Sequence, residues 1–162
     1  MSLLNSFLKI EGSRQGPIKG DVTEASHIDE IDLVGWNWGM EASAAAYATG
    51  AVNTTLKAIT LRKRTDRAST AIMSALRTNE ALKKVTLTGR KVGGEAPIDF
   101  LKIVMEKARI TSHQIGTSSD GSPDFIEEFT ITFLKVQVQY IPQNAQGGTS
   151  GATTFETEVT TR

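Results

Sequence analysis

His27-Ile28-Asp29-Glu30-Ile31-Asp32-Leu33-Val34-Gly35-Trp36-Asn37-Trp38-Gly39-Met40 holds both tryptophans of the chain, and its apolar positions change phase partway along. Ile31 and Leu33 are apolar at odd positions, whereas Val34, Trp36, Trp38 and Met40 are apolar at even ones. Side chains of a strand alternate between faces, so a straight strand buries one parity only. The switch predicts a bulge or bend between Leu33 and Gly35, where a long strand over about 26–40 trades one core face for the other. Trp36 and Trp38 share a face with Val34 and Met40 and read as core. A pair stacked on a ligand is the alternative.

The same signature recurs near the C-terminus. Phe129, Ile131 and Phe133 are apolar at odd positions, and Leu134, Val136, Val138 and Tyr140 take over at even ones. This predicts a second long strand over about 126–141, ended by Pro142, with Phe133 and Tyr140 in the core. Further strands are expected at about 3–10, with Leu4, Leu8 and Ile10 on one side, at 52–62, around Val85–Arg90, at 98–110 and around Phe155–Val159. Gly93-Gly94 reads as a hairpin turn. One helix is expected over about 66–78, where Ala68, Ile72, Ala75 and Leu76 recur at helical spacing and Thr65 or Asp66 supplies the cap. The fold class is therefore mainly β: a small β-barrel of two packed sheets with one flanking α-helix, in a single domain over 1–162.

Glu41-Ala42-Ser43-Ala44-Ala45-Ala46-Tyr47-Ala48-Thr49-Gly50 consists of small residues around one tyrosine. It has no apolar stripe able to seat a helix on a core, so the stretch at about 41–51 reads as an extended loop. It is stabilised from outside its own domain or is a mobile surface loop. Leu61-Arg62-Lys63-Arg64-Thr65-Asp66-Arg67 reads as a solvated turn beside an element.

Composition narrows the function. The 162 residues carry 18 basic and 18 acidic side chains, which leaves no global basic field for nucleic acid or an anionic membrane. The absence of cysteine excludes disulfide and thiolate chemistry. The first ten residues lack the basic start and sustained apolar run of a signal peptide, and no stretch approaches the roughly 20 apolar residues that span a bilayer. The protein is expected in the cytoplasm when made, reaching the exterior or a target cell without a signal peptide.

Catalytic and metal chemistry find little support. His27 lies among Asp29, Glu30 and Asp32, but a strand divides these between two faces, so a hydrogen-bonding histidine at a strand start is expected and not a metal site. His113 reads as a surface residue. Glu127 and Glu128 would point to opposite faces and cannot share a proton. No phosphate loop, nucleophile elbow or dinucleotide fingerprint occurs, and no cofactor is expected.

Several of these segments together resemble the hemolysin-coregulated protein (Hcp) family of type VI secretion systems. They are His27–Ile31 running into Leu33–Met40, Ile18-Lys19-Gly20, Lys63 with Asp66-Arg67-Ala68-Ser69, Arg90-Lys91-Val92-Gly93-Gly94, and Glu128-Phe129 with Phe133-Leu134-Lys135-Val136-Gln137-Val138-Gln139-Tyr140-Ile141-Pro142-Gln143. The similarity covers most of the chain in the right order. Thr70 replaces a proline common in the family, the 40–52 loop is alanine-rich instead of glycine-rich, and the tail differs from that of most members. The resemblance implies a non-enzymatic tube subunit: hexameric rings that stack, are expelled, and carry or shelter small effector proteins in the lumen. Its implied partners are itself and the sheath, baseplate and spike proteins. Within that picture Tyr47, Glu41, Ala45 and Thr49 are candidates for the subunit or ring interface, and Asn37 for a lumen-facing position. A phage-like tail-tube protein and a small-ligand-binding β-barrel are the other readings.

Overall fold

Ten strands and two helices follow one another in the computed structural model, which describes residues 4–49, 54–91, 97–142 and 151–159. The strands are β1 Leu4–Gly12, β2 Gly16–Ile18, β3 Ile31–Asn37, β4 Met40–Ala42, β5 Thr54–Leu56, β6 Ile59–Arg64, β7 Leu82–Lys91, β8 Ile98–Thr117, β9 Phe125–Tyr140 and β10 Thr153–Glu158. A 3-10 turn covers Ala25–His27, and the helices are α1 Ala44–Thr49 and α2 Ser69–Arg77. Six strands pair antiparallel in the order β9-β6-β3-β1-β7-β8, and β8 pairs back to β9, so the sheet closes on itself. Closure removes the free edges that an open sheet of these strands would expose. β2 adds to β1 and β10 adds to β9 outside the closed ring, while β4 and β5 form a separate two-stranded arm. The Gly93-Gly94 turn lies outside the described residues, but β7 and β8 on either side of it pair antiparallel.

The phase change in the tryptophan segment is a bulge where the sequence places it. Leu33 pairs with Lys63 and Gly35 with Arg62, which leaves Val34 as the extra residue of β3. Ile31 and Leu33 are buried before the bulge, and Trp36 and Trp38 pack half-buried against the core after it. Val34 and Met40 are exposed, which corrects their expected core placement. Val34 is the bulged residue and points away from the core, and Met40 has already left the barrel for the arm.

In β9 the buried positions change from Phe129, Ile131 and Phe133 to Val136. Its partner β8 changes at the same level, from Ile103 and Met105 to Ala108 and Ile110, across Lys107 with its left-handed φ of 53°. The registers Glu106–Lys135 and Ala108–Phe133 run on through this point, so the two strands bend together without slipping. Phe133 is buried and lies 5.9 Å from the Trp38 ring. Tyr140 is not core: it is 42% exposed at the end of β9, edge-on to Phe100. It shares the even phase of Val136 but sits past the point where the barrel encloses that face. Leu4 is exposed for the same reason at the start of β1.

Helix α2 runs within the expected span and turns Ile72 and Ala75 into the core, with Ala68 buried just before it. Asp66 accepts the Ala68 N–H, capping the turn that leads in, and Asn79 ends the helix at φ 54°. Nine residues are too few to hold a helix alone, so packing and the polar contacts described below keep it in place.

Candidate functional site

The outer face of the barrel carries Asn37. From that residue one rung runs straight across four strands, Asn37 to Thr60, Thr60 to Thr130, and Thr130 to Ser112. A bulge between Ile110 and Ser112 brings Thr111 onto the same patch. The Thr130 hydroxyl lies 2.6 Å from that of Ser112 and 2.9 Å from that of Thr111, which in turn lies 3.2 Å from the Thr132 hydroxyl. The rung is polar and uncharged. Beside it Arg62 and Glu128 form an exposed ion pair at 3.6 Å. Such a surface offers hydrogen bonds without a strong field of either sign. Sequence reading missed the patch because apolar alternation in β8 fades after Ile110, although the strand continues to Thr117.

The stretch read as an extended loop over about 41–51 is otherwise built where it is described: Glu41 and Ala42 end strand β4, and Ala44–Thr49 form a short helix, α1, as the helix propensity of its alanines allows. Glu41 is exposed and pairs with Lys57 across the arm at 3.4 Å. Ala45 is exposed on α1, while the side chains of Tyr47 and Thr49 lie outside the described residues. Between the arm and β10 runs a groove of about 700 Å³, whose apolar lining comes from Met40, Leu56, Phe155 and Val159. Three of these, Met40, Phe155 and Val159, are exposed large apolar side chains, which are costly to leave in water as a cluster.

The basic run 61–67 is not a solvated turn. Its first half is strand β6, and Lys63 in its middle is wholly buried. The Lys63 ammonium donates to Glu127 at 2.9 Å, to the Ser69 hydroxyl at 2.9 Å and to the Arg64 carbonyl, and pairs with Asp66 at 2.8 Å. Ser69 also donates to Glu127, and His113 sits 2.7 Å from the other Glu127 oxygen. His113, expected at the surface, is therefore largely buried and engaged. Burial alone would push the Glu127 carboxyl up, but the hydrogen bonds from His113, Ser69 and Lys63 and the Lys63 charge outweigh it and hold the group below its usual range. The cluster fastens α2, β6, β8 and β9 to one another. Its residue types suit hydrolysis, but with Lys63 and Glu127 inaccessible no substrate can reach them. Glu127 and Glu128 do point to opposite faces.

His27, at the end of its 3-10 turn, is a hydrogen-bonding residue held by Glu30 and Asp99. Among the described residues no group of three or more acidic or histidine side chains is arranged to hold a metal ion, and no helix is long and apolar enough to cross a membrane.

A closed six-stranded barrel with a helix in contact with it, a projecting arm and an extended polar face defines a small, mainly β barrel protein. Residues 7–140 match the family model described as type VI secretion system effector, Hcp, and the chain belongs to that family. It is 30% identical over 151 residues to Protein hcp1 of Pseudomonas aeruginosa, covering 91% of this chain and 90% of the relative. Among solved structures it is similar to Hcp1 from Salmonella typhimurium, with TM-score 0.75 and 22% identity over 96% of this chain and 95% of that one. It is similar too to the secreted protein Hcp3 from Pseudomonas aeruginosa, with TM-score 0.74 and 18% identity over 98% and 99%. At these identities the two structures speak for the fold, and the family is carried by the sequence match.

Proposed function

We propose that this chain is the subunit of a type VI secretion inner tube, assembled as a hexameric ring that stacks on further rings and is expelled with its contents. The observation that carries the reading is the uncharged rung from Asn37 to Ser112, which suits a wall past which small effector proteins travel without being held by charge. Asn37 faces the lumen. The arm with Glu41, Ala45, Tyr47 and Thr49 reaches a neighbouring subunit or the next ring, and the apolar groove beside it is covered there. A ring needs two different patches that meet at one angle, and the arm and groove on one side of the subunit serve as one of them. The protein works without catalysis or cofactor. It engages the sheath, baseplate and spike of the machine, and it leaves the cell through that machine.

Two other readings have less support. A phage-like tail tube needs the same ring, and gene neighbours separate the two. A ligand-binding barrel would use the tryptophans, but the Trp36 indole N–H is donated to Ser6 and that of Trp38 to the Lys57 carbonyl, and both rings pack on the core.

Size-exclusion chromatography with light scattering tests the proposal. Six chains per particle is the expected result, and a stable monomer overturns it. In assembled tubes a cysteine at position 37 should react with a bulky maleimide far more slowly than one at an exterior position, and equal rates overturn the lumen assignment.

A further inference from the structure

Strands β3, β1 and β7 lie side by side, and their outward faces meet at one level. Asp32 of β3 pairs across to Phe7 of β1, and one step along the same face Asn5 of β1 pairs with Arg90 of β7. The loop after Gly20 stands over this face. Between loop and sheet remains a cleft of about 460 Å³, with Asn5, Phe7, Val22, Asp32, Arg64 and Arg90 among its walls. A cleft of that size admits a small molecule.

Most charges around the cleft are matched. Glu24 accepts from Arg90 at 2.6 Å, Arg64 donates to Asp124 at 3.1 Å, Asp66 pairs with Lys63 at 2.8 Å, and Asp21 lies 3.6 Å from Arg67. Two groups are not matched. Asp32 makes no hydrogen bond and no ion pair with any described residue. It is exposed in the cleft mouth, yet burial by the walls raises its carboxyl above the ordinary value; the Arg64 charge opposes the rise and the Asp66 charge adds to it. Arg90 is only 6% exposed, and its Nε is the one buried side-chain nitrogen or oxygen among the described residues without a hydrogen-bond partner. A buried donor left unpaired is costly. The two unmatched groups flank one ring. The Arg90 guanidinium lies 4.9 Å from Phe7, and Phe7 is the direct cross-strand neighbour of Asp32.

An acceptor without a donor and a donor without an acceptor, on the two sides of Phe7, define the missing partner. We propose that this cleft binds a free α-amino acid, with its ammonium on the Asp32 carboxylate, its carboxylate on the Arg90 Nε–H and its side chain along Val22. Both contacts are charge-assisted hydrogen bonds. A simple amine would leave Arg90 unmet, and a simple carboxylate would face Asp32 with charge of the same sign. The site belongs to the single subunit and stands whether or not rings assemble.

Titration of the ¹⁵N-labelled intact protein with L-leucine tests the site. Isoamylamine, which is leucine without its carboxylate, and isocaproate, which is leucine without its ammonium, are titrated beside it. L-leucine should move the amide signals of Val22, Asp32, Thr65 and Asp66 along a saturating curve. Each of the other two should bind about tenfold or more weakly, the fold-change of one hydrogen bond to a charged group. Asp32→Asn should weaken L-leucine by a similar factor while melting like the natural chain. No saturating shift up to about 50 mM L-leucine overturns the site. So does isoamylamine or isocaproate binding as well as L-leucine, or equal L-leucine affinity in Asp32→Asn. If that variant fails to fold, the comparison of the three compounds on the natural chain decides alone.

Discussion

The Lys63 ammonium and the Glu127 carboxylate meet at 2.9 Å with both side chains wholly inaccessible to solvent. Their strands β6 and β9 pair Lys63 directly with Glu127, so the ion pair is also a cross-strand pair. A buried charge pair is expensive to desolvate, and it persists here because Ser69, Asp66 and His113 satisfy most of the remaining hydrogen-bonding capacity.

Lys63→Met leaves Glu127 buried without its cation. Urea unfolding should show a loss of about 3–5 kcal/mol, the cost typical of breaking a buried pair by removing one partner. Lys63→Met with Glu127→Leu should recover much of that loss, because two apolar groups need no solvation. A double variant as unstable as the single one would mean that the cluster matters through its helix contacts and not through charge.

Glu127 makes stability depend on pH with a definite sign. Its carboxyl is held below the usual value of 4.5, so in the acid range the unfolded chain binds the proton more readily than the folded one. The contribution is present above about that value and is lost as pH falls through the lower folded pKa. Glu80 acts in the same direction: burial raises it, but the N–H groups of Gln15 and Arg14 and the Gln15 side chain outweigh burial. Glu127→Gln should flatten the acid limb of a plot of melting temperature against pH, and an unchanged limb would show that Glu127 does not set it.

Two glycines should respond differently to alanine. A Cβ on Gly20 would lie 2.5 Å from the Glu30 carbonyl oxygen and 2.8 Å from the Ile31 Cα, backbone atoms with little freedom to move. Gly20→Ala should cost about 1–3 kcal/mol through that clash. Gly35, at the β3 bulge, has open space where alanine would place its methyl, with nothing within 4 Å, and Gly35→Ala should melt close to the natural chain. Thermal unfolding of the two variants side by side checks the contrast.

The arm is tested by Tyr47→Ala combined with a shortened 43–51 loop. Light scattering and a secretion assay should show weakened rings or short tubes, while thermal melting of the barrel stays close to that of the natural chain. Normal rings and normal secretion would release the arm from its proposed role.

The chain's local order was legible in its residues because alternation is a local property. The parity switch at Leu33–Gly35 announced the β3 bulge, the spacing of Ala68, Ile72 and Ala75 announced α2, and Phe129–Phe133 announced the buried half of β9. What lay beyond reach depended on partners distant in sequence. Lys63 looked like one of three solvated cations until Glu127, 64 residues away, came opposite it. Tyr140 had the right phase for the core, but only the structure shows it exposed at the end of β9, edge-on to Phe100. The polar rung exists because Asn37, Thr60, Thr130 and Ser112 fall at one level, and no local pattern encodes a register between four strands. Alternation along a strand sets which side chains share a face, whereas closure of β8 onto β9 decides which of those faces water never reaches.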